Sequence, residues 1–173
     1  MANPMITLSD ADWAEYAVTC MGATHLVSLI SWHMMIDTPG SIRPDNHLKL
    51  EMDDITTDRE GLRCPDITHI DRLLDFGERL HGDAELVVHC QMGRSRSAAA
   101  VLVLLAQRNP NREREIVDLV FRDAPHIRPN SLIIELADKE LGCDGSLIQS
   151  VDGLPRSTPH DLNGFVSFPF ALS

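Results

Sequence analysis

Residues 85–108 read ELVVHCQMGRSRSAAAVLVLLAQR, and they carry the strongest structural signal in the chain. The segment from Glu85 to His89 is short, apolar and rich in valine, which is typical of a buried strand. The segment from Ser97 to Arg108 is almost entirely apolar, which predicts a helix buried in the middle of a domain. The polar residues between them therefore form a turn from a strand into a helix. This is the place where open α/β sheets bind ligands.

The segments around this stretch predict strands and helices in alternation. Strands are expected at residues 25–32 and 47–52. Four more helices are expected. The first is capped by Ser9 and has about a dozen residues, the second runs from Asp66 to about residue 80, and the others cover residues 112–123 and 130–141. Strands separated by helices predict an α/β fold whose central, mainly parallel sheet is flanked by helices.

The length of 173 residues fits one compact domain. We assign residues 1–143 to it. Residues 144–173 show no clear period, so the sequence leaves open whether this tail packs on the domain.

Composition restricts the partners of this domain. The formal net charge is −11 and 43% of the residues are hydrophobic, so the chain has enough apolar side chains for a core. An acidic surface repels nucleic acid, and no apolar run reaches the roughly 20 residues that span a bilayer. The N-terminal residues lack the layout of a signal peptide, and no cysteine pair has metal-ligand or disulfide spacing. We therefore expect a cytoplasmic protein without nucleic-acid partner, metal or cofactor; its oligomeric state is left open.

The turn between the predicted strand and helix has the composition of a phosphate site. Its backbone N–H groups and the following helix N-terminus favour an anion, and Gly93 permits the tight backbone. Arg96 offers a planar fork of donors for two phosphate oxygens. The same field favours the thiolate of Cys90, which would attack a bound phosphate ester. Ser97 is placed to hydrogen-bond the sulfur, and His89 to orient the loop. The expected phosphate-binding residues are Gln91, Met92, Gly93, Arg94, Ser95 and Arg96.

The residues 89–97 resemble the signature of the protein tyrosine phosphatase superfamily, His-Cys-x5-Arg followed by Ser or Thr. The resemblance extends over roughly residues 5–142 and is greatest to the compact dual-specificity group and its bacterial relatives. It implies a phosphatase with a phosphocysteine intermediate on Cys90 and the dual-specificity fold. It also implies that Asn130, in the sequence Arg128-Pro129-Asn130, supports the phosphate loop.

That family uses an aspartate some 30-odd residues before the cysteine as general acid, and three residues compete for this role. Asp54 follows a predicted strand directly and aligns best with the family's acid at a strand end. Asp58 matches the more usual spacing, and Asp53 is the third candidate. We predict Asp54, with the other two as ordinary loop acids.

The resemblance also leaves the substrate open. The leading interpretation is a phosphorylated protein, above all phosphotyrosine, with phosphoserine and phosphothreonine as further substrates. We interpret Arg94 first as a solvated cation that strengthens the local field. The alternative is that it binds a second anionic group, and thus a phosphoinositide, inositol phosphate or nucleotide, although Gln91 in place of a basic residue weakens the inositol-phosphate interpretation. A phosphate-binding module without catalysis is the alternative from another class. Cys64 is a candidate for a reversible disulfide with Cys90.

Overall fold

The computed structural model describes residues 3–155 and 164–172. Within these residues, five strands form one sheet: β1 (Met5–Ser9), β2 (His25–Ile30), β3 (His47–Glu51), β4 (Glu85–His89) and β5 (Phe165–Pro169). The same residues contain six α-helices: α1 (Ala11–Cys20), α2 (Ile67–Glu78), α3 (Arg96–Arg108), α4 (Glu113–Asp123), α5 (Ser131–Leu141) and α6 (Ser146–Asp152). The α/β fold with a mainly parallel sheet is confirmed.

The order of the strands places β4 in the centre of the sheet. The order is β3-β2-β4-β1-β5, with β1 to β4 mutually parallel and β5 antiparallel to β1. The carboxyl ends of four parallel strands therefore lie at one edge. The residues that directly follow β1, β2, β3 and β4 are Asp10, Ser31, Met52 and Cys90. The sheet thus collects the turns that follow four separate segments of sequence.

Helix α3 is the buried helix that its composition predicts. Every residue from Arg96 to Ala106 is buried, and the apolar ones belong to one cluster with β1, β3, β4 and α2. At roughly 25 cal/mol per Å² of buried apolar surface, such a central helix is a main source of stability. Its first turn contains the buried polar residues Arg96 and Ser97, which directly follow the turn from β4.

The N-terminal segment differs from its prediction. Residues Met5 to Ser9 form a strand, and the cap of α1 is Asp10, whose side chain accepts a hydrogen bond from the Trp13 backbone N–H at 2.8 Å. The Ser9 cap was wrong because Ser9 is needed for the last pair of the β1–β4 ladder, opposite His89.

Two further elements were not anticipated. Helix α6 and strand β5 lie in residues 144–173, and both pack on the rest of the structure. Phe168 and Phe170 are 0% and 1% exposed and belong to the main core. Strand β5 pairs only with β1, and most of its side chains are partly buried. Its polar and apolar residues therefore do not alternate regularly, which explains why the sequence gave no strand pattern there.

Candidate active site

The turn from β4 to α3, residues 90–95, has carbonyl groups that point outward, and it is named the cradle for this reason. Five of its carbonyl oxygens accept hydrogen bonds from groups outside the turn. The pairs are Cys90 with His89 Nδ1 (3.1 Å), Gln91 with Ala11 N (3.1 Å), Gly93 with His126 Nε2 (3.1 Å), Arg94 with Arg128 N (2.8 Å) and Ser95 with Asn130 N (3.3 Å). In a planar trans peptide the N–H points opposite to the C=O. The N–H groups of the same five peptides therefore face the inside of the turn.

Gly93 is the residue that allows the turn to close. Its φ is +64°, in the left-handed region that side chains disfavour. A Cβ at this position would lie 3.1 Å from the backbone atoms of Ser9 and Asp10. The turn therefore packs directly on the end of β1, and only glycine fits there.

Cys90 lies at the base of this cradle. It is 2% exposed, and its Sγ is 3.0 Å from the Oγ of Ser97, which lies in the first turn of α3. Ser95, the residue at the cap of α3, forms no side-chain capping bond to that helix. The N-terminal N–H groups of α3 thus lack a side-chain acceptor from Ser95, and their partial positive charge acts on the neighbouring thiol.

Arg96 carries a buried donor that lacks a protein acceptor. The side chain is 4% exposed, and its Nη1 donates to the carbonyl of Met52 at 2.8 Å. Among the described residues no acceptor lies within hydrogen-bonding distance of its Nε. Leaving a charged donor buried and unpaired is costly, so such a group is usually completed by a ligand. An anion above Cys90 would supply the missing acceptor.

A cleft of about 490 Å³ opens over these groups, within the size range of small-molecule sites. It is lined by Asp54, Cys90, Gln91, Met92, Arg94, Ser95, Arg96 and Arg128. Three arginines thus surround the thiol of a chain whose net charge is −11. A larger cavity of about 850 Å³ lies against α4 and α6, and none of the turn residues line it. The chemistry therefore points to the smaller cleft.

Of the three candidate acids, Asp54 is the one that lines the cleft. Its Oδ1 accepts from the Oγ of Ser95 at 2.6 Å and from the Nδ2 of Asn130 at 2.9 Å. Asn130 also donates to the carbonyl of Ile55 at 3.2 Å and caps α5 by accepting from the Ile133 N–H at 3.1 Å. Asn130 therefore connects three parts of the site: its side chain binds Asp54 with Ile55 and caps α5, and its backbone N–H donates to Ser95 in the turn between β4 and α3.

Asp53 and Asp58 have other surroundings. The carboxylate of Asp53 accepts from the Ser31 hydroxyl and from the Arg63 backbone N–H, and these bonds hold its pKa below the usual value. A carboxyl that is held ionised is a poor proton donor. Asp58 is exposed and lies beside Cys64. The pKa of the Cys64 thiol is raised, first by burial and second by the negative charge of Asp58. Cys64 is a free thiol, and its pairing with Cys90 stays a prediction.

Several residues of the site gave no signal in the sequence. His126 is buried and donates to the turn, although nothing in the sequence gave it a role. Arg128 lines the cleft, whereas the sequence marked it only as the residue before Pro129-Asn130. Ala11 contributes only a backbone N–H, which no side-chain pattern reveals. Only the folded chain brings these groups to the same turn.

Comparison with solved structures identifies the fold. Human DUSP28 superposes with a TM-score of 0.55 at 22% identity, over 82% of this chain and 94% of that one. The human tyrosine phosphatase-like serine/threonine/tyrosine-interacting protein gives 0.59 at 16%, over 83% and 99%. PTPMT1 in complex with PI(5)P gives 0.55 at 18%, over 80% and 91%. The chain therefore has the fold of the compact dual-specificity phosphatases, as the resemblance at residues 89–97 implied.

No family model and no curated protein matches the chain. At such low identities the structural likeness concerns the fold, and function is argued from the site. Within residues 3–155 and 164–172, no helix has the length and apolar character needed to cross a membrane.

Proposed function

We propose that this protein is a cysteine-dependent phosphatase that hydrolyses phosphate monoesters, with a phosphorylated protein side chain, above all phosphotyrosine, as substrate. The observation that carries the proposal is the juxtaposition in one cleft of a buried thiol, five inward amides and the unpaired Nε of Arg96. A phosphate dianion would satisfy these donors and would lie in line with Cys90.

The first chemical step transfers the phosphoryl group to the protein. The thiolate of Cys90 attacks phosphorus and forms a P–S bond while the bond from phosphorus to the ester oxygen breaks. Asp54 gives its proton to that oxygen, so the alcohol or phenol leaves neutral. Arg96 and the inward N–H groups bind the three equatorial oxygens, where negative charge is held in the transition state.

The second step returns the enzyme to its starting state. The carboxylate of Asp54 takes a proton from a water molecule, whose oxygen attacks phosphorus and displaces the Cys90 sulfur. The hydroxyl of Ser97, 3.0 Å from Sγ, donates to the departing thiolate. The product is inorganic phosphate, and Asp54 is again protonated for the next cycle.

Three variants test this mechanism with an aryl phosphate substrate. Cys90→Ser should abolish turnover. Asp54→Asn should lower kcat by about 10²–10⁴ with little change in KM, because the lost interaction acts in the transition state. Asp58→Asn is the matched control, since it removes the same charge from the same loop outside the cleft. A crippled Asp58→Asn beside an active Asp54→Asn would show that the acid is misassigned.

A second substrate class has its own support in the cleft. Arg94 and Arg128 line it together with Arg96, which would suit a substrate with more than one phosphate, such as a phosphoinositide, inositol phosphate or nucleotide. A substrate panel separates the two proposals. Preference for phosphotyrosine peptides supports the first, and kcat/KM at least tenfold higher for polyphosphorylated small molecules supports the second. Tight peptide binding without turnover by the unmodified protein would point to a binding module.

A further inference from the structure

A buried chain of hydrogen bonds crosses three strands and ends at the reactive cysteine. Thr38 Oγ1 lies 2.9 Å from His47 Nδ1, and His47 Nε2 lies 2.9 Å from Ser28 Oγ. Ser28 Oγ lies 2.7 Å from His89 Nε2, and His89 Nδ1 lies 3.1 Å from the carbonyl oxygen of Cys90. Ser28 and His89 are cross-strand partners on β2 and β4, and His47 begins β3.

Both imidazole rings of this chain are neutral near pH 7. Ser28 and His89 are 0% exposed and His47 is 8% exposed. Burial lowers the pKa of His89, and burial with neighbouring positive charge lowers the pKa of His47 to about 4. A neutral imidazole has one N–H donor and one acceptor nitrogen. In each ring, therefore, the hydrogen bond made by one nitrogen decides whether the other nitrogen donates or accepts.

The carbonyl of Cys90 fixes that direction for the whole chain. A carbonyl oxygen only accepts, so the proton of His89 lies on Nδ1 and its Nε2 accepts from the Ser28 hydroxyl. Because the Ser28 hydroxyl has one proton, it accepts from His47, whose proton lies on Nε2. His47 Nδ1 then accepts from Thr38. All four bonds run from the loop after β2 toward Cys90.

We propose that Ser28 and His47 are positioning residues that hold His89 in its Nδ1–H tautomer and thereby fix the peptide that follows Cys90. That peptide carries the first inward N–H group of the cradle, on Gln91, so its orientation affects the thiolate and the bound phosphate together. The catalytic consequence rests on the proposed phosphatase function. The tautomer itself does not, since it follows from hydrogen-bond donors and acceptors alone.

The tautomer is measurable in the unmodified protein by ¹⁵N NMR of the histidine rings. We expect a protonated Nδ1 and an unprotonated Nε2 on His89, and the reverse on His47. Protonation of His89 at Nε2 would overturn the proposal. This readout needs no turnover, so it separates a failure of the hydrogen-bond chain from a failure of the proposed function, which Cys90→Ser tests.

Ser28→Ala tests the effect on the site, with Ser167→Ala as the matched control. Ser167 also forms a hydroxyl pair between strands, 2.7 Å from Thr7 Oγ1, but lies on β5 away from Cys90. Ser28→Ala should lower kcat about tenfold at nearly constant KM, as losses of such supporting bonds commonly do. It should also slow iodoacetamide alkylation of Cys90, followed by peptide mass spectrometry. Equal behaviour of the two variants in both assays would overturn the proposal.

Two substitutions of His47 separate positioning from packing. In His47→Gln the amide nitrogen still donates toward Ser28, whereas in His47→Leu no donor remains. The glutamine variant should keep kcat and the Cys90 alkylation rate within about twofold of the unmodified protein, and the leucine variant should lose both about tenfold. Equal losses in the two variants would refute the role of the hydrogen bond. Should the leucine variant not fold, Ser28→Cys, which keeps the volume but donates weakly, replaces it with the same expectation.

Discussion

Asn130 offers a perturbation in which stability and catalysis separate. Its Oδ1 caps α5 by accepting from Ile133, and its Nδ2 donates to Asp54 and to the carbonyl of Ile55. Asn130→Ala removes both functions. Asn130→Asp keeps an acceptor at the cap but replaces the donor with a second carboxylate. Both variants therefore lose the donor to Asp54, and only Asn130→Asp keeps the acceptor at the cap.

The expected stabilities follow from the cap. Loss of an N-cap side chain costs about 1 kcal/mol, which lowers Tm by about 2–4 °C in a domain of this size. We expect this fall for Asn130→Ala. Aspartate caps as well as asparagine, so Asn130→Asp should keep the capping contribution, and a fall in its Tm would measure the cost of a second carboxylate beside Asp54.

The expected rates follow from the bond to Asp54. A hydrogen bond to a charged group contributes about 1.5–3 kcal/mol, equivalent to about 10- to 150-fold in rate if it positions the acid. Ser95 still donates to the same oxygen in Asn130→Ala, so the loss should be about tenfold there. In Asn130→Asp the new carboxylate would accept the proton of Asp54 in a hydrogen bond and hold it away from the ester oxygen, so the loss should reach about 100-fold.

The assay compares kcat/KM for phenyl phosphate and 2,4-dinitrophenyl phosphate, which reports the step in which the leaving group departs, alongside thermal unfolding. A general acid matters most for the basic phenolate leaving group, so the loss should be large for phenyl phosphate and small for the dinitrophenyl ester. An equal loss for both esters would refute the positioning of Asp54 by Asn130. So would an Asn130→Asp protein that is less stable than Asn130→Ala yet fully active.

Three further perturbations test the fold and the cradle. Gly93→Ala places a side chain at φ +64° against the end of β1, so we expect about 1–2 kcal/mol lower unfolding free energy in urea and turnover reduced at least tenfold. Phe168→Ala should cost about 3–5 kcal/mol, because β5 anchors a fully buried ring in the main core. The unfolding free energy should fall by about 3 kcal/mol or more between pH 6.5 and pH 4. Unfolded His47 takes up a proton that the folded state, with its pKa of about 4, excludes, and the lowered pKa of buried His89 acts in the same direction.

Each of these expectations has its own contrary result. Stability and rate unchanged in Gly93→Ala would mean that the turn does not pack on β1 as described. A loss below about 1 kcal/mol in Phe168→Ala, measured in urea, would place β5 outside the core. If the unfolding free energy of His47→Gln fell as steeply with pH as that of the unmodified chain, His47 would not be the group that titrates. The comparison is made above pH 5, because exposed carboxylates titrate mainly below it.

The prediction from sequence succeeded where an element is formed by residues that are consecutive in the chain. A strand, a turn and a buried helix in residues 85–108 were predicted from local pattern, and the structure has them at Glu85–His89 and Arg96–Arg108. It failed at Ser9, where a short strand directly precedes a helix and the pairing with β4 decides the boundary. It could not place α6 and β5, whose apolar side chains pack against residues from many other segments of the chain.

The amino-acid sequence alone predicted the α/β class and brought Cys90, Gly93 and Arg96 together in one turn, because these three residues are close together in the chain. Only the tertiary structure decided which aspartate lines the cleft, which groups hold the outward carbonyls, and that Ser28 and His47 connect to Cys90. Those contacts join strands and loops far apart in the chain, and the sheet order that brings them together is a property of the whole core.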